Sequence, residues 1–304
     1  MNAIHTLLRQ SIDYAGLFPP AGLGMSAAVD KYLRYRAGSE AWALGRFIVP
    51  ATRLAEFEEA AGDGSSERPA RQPWQLSALV GPDLADDLDK IAGFQRRHAG
   101  AAQGMTVDTI EAKAHTVSAI QETMRRIPDG LQVYFELPVE PDPTDLLATV
   151  ARVGGRAKVR TGGVTPEAFP STASLARFIH ACARAKVPFK ATAGLHHALR
   201  AEYRLTYEED SGSGVMFGFL NLFLATALVR NGIGEGDTRD ILEESSPAAF
   251  RADDGAISWR DHRLDRQALG RSRESMVSFG SCSFTEPIAE LQSLHWLEPK
   301  VRQA

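Results

Sequence analysis

The 304 residues are 44% apolar and 24% charged, enough to bury a sizeable core in one large domain or two small ones. Thirty-four basic and 38 acidic residues, spread along the chain, give a net charge of −4, which leaves no basic stripe for nucleic acid and no acidic tail. The two cysteines, Cys182 and Cys282, lack CxxC or CxxH spacing, which argues against a disulfide framework and a closed structural zinc site.

The opening run, MNAIHTLLRQSIDY, lacks the basic segment, apolar segment and cleavage site of a secretory signal. The longest apolar run, VMFGFLNLFLATALV over 215–229, contains Gly218 and Asn221 and is too short to span a bilayer. The expectation is a protein of a reducing cytoplasm, with no membrane or nucleic-acid partner. Its partners are then small molecules or a second copy of itself.

Short apolar or β-branched runs recur roughly every thirty residues, each followed by a stretch of helical periodicity, the rhythm of repeated β/α units. They predict strands over 12–18, 45–50, 74–81, 105–112, 131–138, 156–163, 187–195 and 276–283. Between them, helical spacing links Leu84, Leu88 and Ile91, then Val117, Ile120, Met124 and Ile127, then Leu175, Phe178, Ile179 and Cys182. Eight such strands predict a closed (β/α)8 TIM barrel, read as one domain over residues 1–304. The polar stretches 61–73 and 207–214 are predicted loops, the latter mobile. Residues 198–274 exceed an ordinary β/α unit and are predicted to be an insertion carrying the 215–229 helix and a hairpin around 250–260.

Alternation along a barrel strand sends successive side chains to opposite faces. With Phe189, Ala191 and Ala193 facing helices, Lys190, Thr192, Gly194 and His196 face inward. By the same rule Ala157, Val159 and Thr161 face helices while Lys158 and Arg160 point in; Val133, Phe135 and Leu137 face out while Tyr134 and Glu136 point in. Two lysines, an arginine and a glutamate thus converge from three neighbouring strands. A buried ammonium beside another cation is driven to shed its proton, and the neutral amine attacks a carbonyl to form an imine. The alternative is an internal salt bridge between either lysine and Glu136 or another acid.

The runs KVRTGGVTPE (158–167), VPFKATAGL (187–195) and SFGSCSF (278–284) resemble the last three strands of deoxyribose-phosphate aldolase, a class I aldolase on a (β/α)8 barrel. The resemblance implies a Schiff base on Lys158, within a Lys-x-x-Thr-Gly motif that includes Thr161 and Gly162. It also implies that Lys190, followed by small residues and Gly194, perturbs that amine. SIDYAGLFPPAGL (11–23) is similar to the family's opening segment and places Asp13 and Leu17. VDTIEA (107–112) is similar to its fourth strand and places Asp108 as a proton relay, while YFEL (134–137) places Glu136. Gly280, Ser281 and Ser283, before a helix start at TEPIAEL, stand where the family holds a substrate phosphate. They equally fit a strand-to-helix turn with Thr285 as its cap. Arg160, Tyr14, Ala15 and the residues after His197 depart from the family's pattern.

The expected activity is therefore lyase chemistry on a small carbonyl compound, without a cofactor, with Asp108, Glu136 and His196 moving protons. His196 and the nearby carboxylates admit a rival reading as a metal-dependent lyase or hydrolase, and a barrel kept only for binding is a third. Cys282 lacks a base near it in sequence and reads as a small buried residue. Asn221, inside an apolar stripe, needs a polar partner, for which a substrate is one candidate.

Overall fold

The structure is a computed structural model and describes residues 2–62, 73–100 and 104–298. Most of the predicted loop at 61–73 lies outside the described residues.

Eight parallel strands close into a barrel. In chain order they are β1 (Ile12–Tyr14), β2 (Leu44–Pro50), β3 (Trp74–Leu79), β4 (Met105–Lys113), β5 (Gln132–Glu136), β6 (Arg156–Arg160), β7 (Phe189–Thr192) and, after five short strands, β13 (Met276–Ser281). Each pairs with its neighbour in chain order, and β13 closes the ring by pairing with β7 on one side and β1 on the other. The architecture is that of a (β/α)8 barrel, and all eight strands fall on predicted segments.

Helix α1 (Ala3–Leu8) precedes the barrel. The strands alternate with α2 (Met25–Ala37), α3 (Leu54–Ala61), α4 (Leu84–His98), α5 (Val117–Arg126), α6 (Thr144–Arg152) and α7 (Thr172–Ala185). Their starts follow from local chemistry: Asp83, Thr116 and Ser171 each accept a backbone N–H from three residues on, capping α4, α5 and α7. Val133, Phe135, Ala157, Val159, Phe189 and Ala191, the outward residues of β5 to β7, are all buried in the apolar layer beneath the helices.

Two strands end earlier than alternation alone predicts. β1 stops at Tyr14, and β7 stops at Thr192 because Ala193 and Gly194 turn into the left-handed region, with φ of 65° and 70°. A Cβ on Gly194 would stand 2.9 Å from Phe169 Cε1, so both backbone and space require glycine there. Thr161 fastens the turn by donating its hydroxyl to Ala193 O at 2.7 Å.

Residues 193–275, between the seventh and eighth barrel strands, form an antiparallel hairpin of β8 (Ala201–Arg204) and β9 (Ser213–Met216), then α8 (Phe219–Arg230) and α9 (Glu235–Glu243). An antiparallel sheet of β10 (Phe250–Ala252), β11 (Ala256–Trp259) and β12 (His262–Asp265) follows, then α10 (Arg266–Ser272). The predicted 250–260 hairpin is β10 and β11; the stretch at 207–214 is the tip of the β8/β9 hairpin. Helix α8 is buried from Phe219 to Val229, so its sequence is apolar on every face. Asn221 is satisfied within the protein: its Nδ2 donates to Ile241 O and Glu244 O at 2.7 and 2.8 Å, and its Oδ1 accepts from Arg200 N at 3.0 Å. The last helix, α11 (Thr285–Ser293), follows β13. Among the described residues no helix is long and apolar enough to cross a membrane.

Candidate active site: a charged barrel interior

The barrel interior is charged at mid-height. Lys158 and Lys190 are register partners on β6 and β7, as are Glu136 and Lys158 on β5 and β6, so alternation brings all three side chains inward together. Lys158 Nζ lies 2.7 Å from Glu111 Oε2 and 2.8 Å from Glu136 Oε2. Lys190 Nζ lies 2.5 Å from Asp13 Oδ2 and 2.7 Å from Glu111 Oε1, with the Tyr134 ring 5.4 Å away. Glu111 therefore bridges the two amines, one oxygen to each. Ser77 also donates to Glu111 Oε1 at 2.7 Å, while Ser278 Oγ and Arg46 N donate to Asp13 at 2.8 and 2.9 Å.

The electrostatics of this cluster differ from the sequence-based expectation for Lys190. Three carboxylates face two ammonium groups, so the excess charge is negative. Burial alone would lower the Lys190 amine, but Asp13 and Glu111 outweigh it and hold the amine above its usual range. Burial would likewise raise the Glu111 carboxyl, yet the two lysines hold it well below the usual carboxylate range. Lys190 is thus a fixed cation, not an amine that sheds its proton.

Lys158 differs in its surroundings. A cavity of about 570 Å³ is lined by Lys158, Glu111 and Glu136, with walls from the β3–α4 connection and from α5. Lys190 does not line it. Lys158 has a space beside its amine for a small molecule, bounded by two carboxylates within hydrogen-bonding distance.

Glu111 was not among the sequence candidates; Asp108 was. Asp108 was placed by the resemblance to the aldolase's fourth strand; in the structure β4 bulges there, where Leu76 pairs with Val107 but Ser77 pairs with Thr109, leaving Asp108 as the extra residue. Asp108 is held by Arg46, whose Nε and Nη2 donate to its two oxygens at 2.6 and 2.8 Å, so the fourth-strand acid that touches both lysines is Glu111. A bulge has no signal in residue alternation. The two acids sit three residues apart, and a regular strand would turn only one of them inward.

The remaining candidates are dispersed. Asp13 is bound to Lys190 and is 1% exposed. Arg160, expected inside, is exposed at the end of β6, and among the described residues its one donation is to Gly162 O, at 3.4 Å. Thr161 fastens β6 to the turn after β7, and Gly162 and Gly194 both pack against the Phe169 ring.

His196 lies past the Ala193–Gly194 turn and not on β7, so alternation along the strand does not apply to it. It lines a separate cavity of about 330 Å³ with Tyr207 and Glu286. Its Nδ1 is 3.1 Å from Ser281 Oγ and 3.7 Å from Cys282 Sγ. Since Ser281 donates its hydroxyl to Ser283 O at 2.6 Å, it must accept from His196, which fixes the proton on Nδ1. Burial, with a smaller push from His197, lowers the His196 imidazole to about 4. The nitrogen nearer Cys282 Sγ is thus the protonated one, and burial raises the Cys282 thiol, so Cys282 stays the buried thiol its sequence suggests.

Ser281 and Ser283 sit beside His196, while Gly280 lies on β13 between its register partners Asp13 and Thr192. Ser283 Oγ accepts from Glu286 N at 3.3 Å, a capping contact the sequence reading gave to Thr285. The hydroxyls of Ser281 and Ser283 are therefore engaged within the protein, beside the Glu286 carboxylate. Among the described residues no three His, Cys, Asp or Glu side chains gather to hold a metal ion. Comparison with protein-family models, curated proteins and solved structures finds no match to this chain.

Proposed function

We propose that this barrel is a Schiff-base-forming lyase of the aldolase kind, acting on a small carbonyl substrate at Lys158. The observation that carries the reading is the position of Lys158: its amine borders a cavity of about 570 Å³ and touches both Glu111 and Glu136. The similarity of KVRTGG to the Lys-x-x-Thr-Gly motif of deoxyribose-phosphate aldolase supports it.

In this reading Lys158 passes a proton to Glu136, and the free amine adds to the substrate carbonyl. Loss of water gives the iminium. A carboxylate then removes a proton from the adjacent carbon, or accepts the hydroxyl proton as a carbon–carbon bond breaks. Glu111, held as a carboxylate by both lysines, steadies the positive charge of the iminium. Lys190 keeps Glu111 in place and ionised. This reverses the part first expected of it.

The test is borohydride reduction in the presence of acetaldehyde, acetone or dihydroxyacetone, with the adduct located by mass spectrometry. The expected result is one adduct on Lys158, absent from Lys158→Met. An adduct confined to other lysines, or none in the folded wild type, overturns the reading.

A further inference from the structure

Glu136 borders two cavities. One is the Lys158 cavity; the other, also about 570 Å³, is lined by Glu136, Arg160, His115, Glu140, Glu167 and Phe169 among others. Of the residues lining either cavity, Glu136 alone lines both, and its carboxylate is 2.8 Å from Lys158 Nζ. Lys158 lines only the first and Arg160 only the second.

Arg160 is exposed at the wall of this second cavity. Among the described residues it has no carboxylate within 4.0 Å, and its one contact is Gly162 O at 3.4 Å. A guanidinium fork at a cavity wall, without an internal anion, suits a planar oxyanion bound through two parallel hydrogen bonds.

We propose that the second cavity is the acceptor subsite, and that it takes an aldehyde bearing a carboxylate, which Arg160 binds while Glu136 serves both halves of the reaction. The inference rests on the imine reading of Lys158 and adds the second substrate to it. A donor ketone held on Lys158 loses a proton from its adjacent carbon to become an enamine. That carbon forms the new bond to the acceptor carbonyl carbon. The carbonyl π pair moves to oxygen, which takes the proton from Glu136, and water releases the product and restores the amine. No oxidant or reductant enters. A carboxylate is favoured over a phosphate because Glu136, Glu140 and Glu167 line the same cavity, and a dianion meets about twice the repulsion a monoanion does.

The experiment uses acetone as donor and three acceptors: succinic semialdehyde, butanal, which lacks the carboxylate, and glyceraldehyde 3-phosphate. Initial rates of adduct formation are read by mass spectrometry in wild type and Arg160→Gln, with circular dichroism confirming the fold. The expected kcat/KM for succinic semialdehyde exceeds that for butanal by about tenfold to a hundredfold, carried by KM, and the ratio falls toward one in Arg160→Gln. Equal use of the two aldehydes, an unchanged ratio in Arg160→Gln, or a preference for the phosphate overturns the acceptor assignment while leaving the imine reading intact. Absence of any borohydride-trapped acetone on Lys158 overturns both.

Discussion

Replacing Lys190 by methionine separates a structural cation from a catalytic amine. The change removes an ammonium that contacts Asp13 at 2.5 Å and Glu111 at 2.7 Å, both almost wholly buried. Removing one partner of such a pair costs about 3–5 kcal/mol. Here Asp13 keeps Ser278 Oγ and Arg46 N, and Glu111 keeps Lys158 and Ser77, which places the loss near the lower end, about 3 kcal/mol. For a chain of this size that is a fall of about 6 °C in Tm. Because Lys190 is raised above 10.5 in the folded state, its contribution is fully present below pH 10.5 and is lost as pH rises through the folded value. Thermal unfolding followed by circular dichroism at pH 7.5 therefore reads all of it. Asp13→Asn alone should also destabilise, and the double variant Asp13→Asn/Lys190→Met should lose at least about 1 kcal/mol less than the sum of the two. A loss below about 1 kcal/mol for Lys190→Met, or a cycle additive within about 0.5 kcal/mol, would refute the buried-pair account.

Three further outcomes follow from contacts elsewhere in the fold. Since His196 is lowered from 6.5 to about 4, the unfolded chain binds a proton between those values that the folded chain does not. Stability therefore falls by about 3 kcal/mol as pH drops through that window; His196→Gln should flatten this limb of the stability profile, and parallel profiles would count against it. Asn221→Leu removes the partner of one buried and two partly buried backbone groups and should cost roughly 2–3 kcal/mol; a Tm within about 2 °C of wild type would contradict it. Gly194→Ala forces a side chain into φ of 70° against Phe169. It should cost about 2 kcal/mol, partly recovered by Phe169→Leu, whereas no recovery would remove the steric part of the explanation.

The eight-strand rhythm was legible because every barrel strand is an apolar or β-branched run bounded by helical periodicity. Lys158, Lys190 and Glu136 were legible for a related reason: β5, β6 and β7 are regular, so alternation assigns their inward residues correctly. It failed wherever the backbone left the regular strand. Asp108 came from the resemblance and not from alternation, and the bulge there leaves Glu111 as the fourth-strand acid that reaches both lysines. The left-handed turn at Ala193 and Gly194 carried His196 out of the register that was to bring it inside, and the end of β6 left Arg160 exposed. The sign of the lysine electrostatics was illegible as well. Two amines in neighbouring strands suggest repulsion until Asp13 and Glu111, which arrive from β1 and β4, are counted beside Glu136.

The interior charges are divided unevenly along the chain. Asp13 and Glu111 belong to the first four strands, while Lys158 and Lys190 belong to the last four. A half-barrel ending near residue 130 would expose acids without their cations, and the complementary half would hold an ammonium surplus. Each piece would be a poor solution for its own charges and a good receptor for the other. Fragments divided there, produced separately, carry the means to recognise one another: the groups that burden each alone become their adhesive when the ring closes.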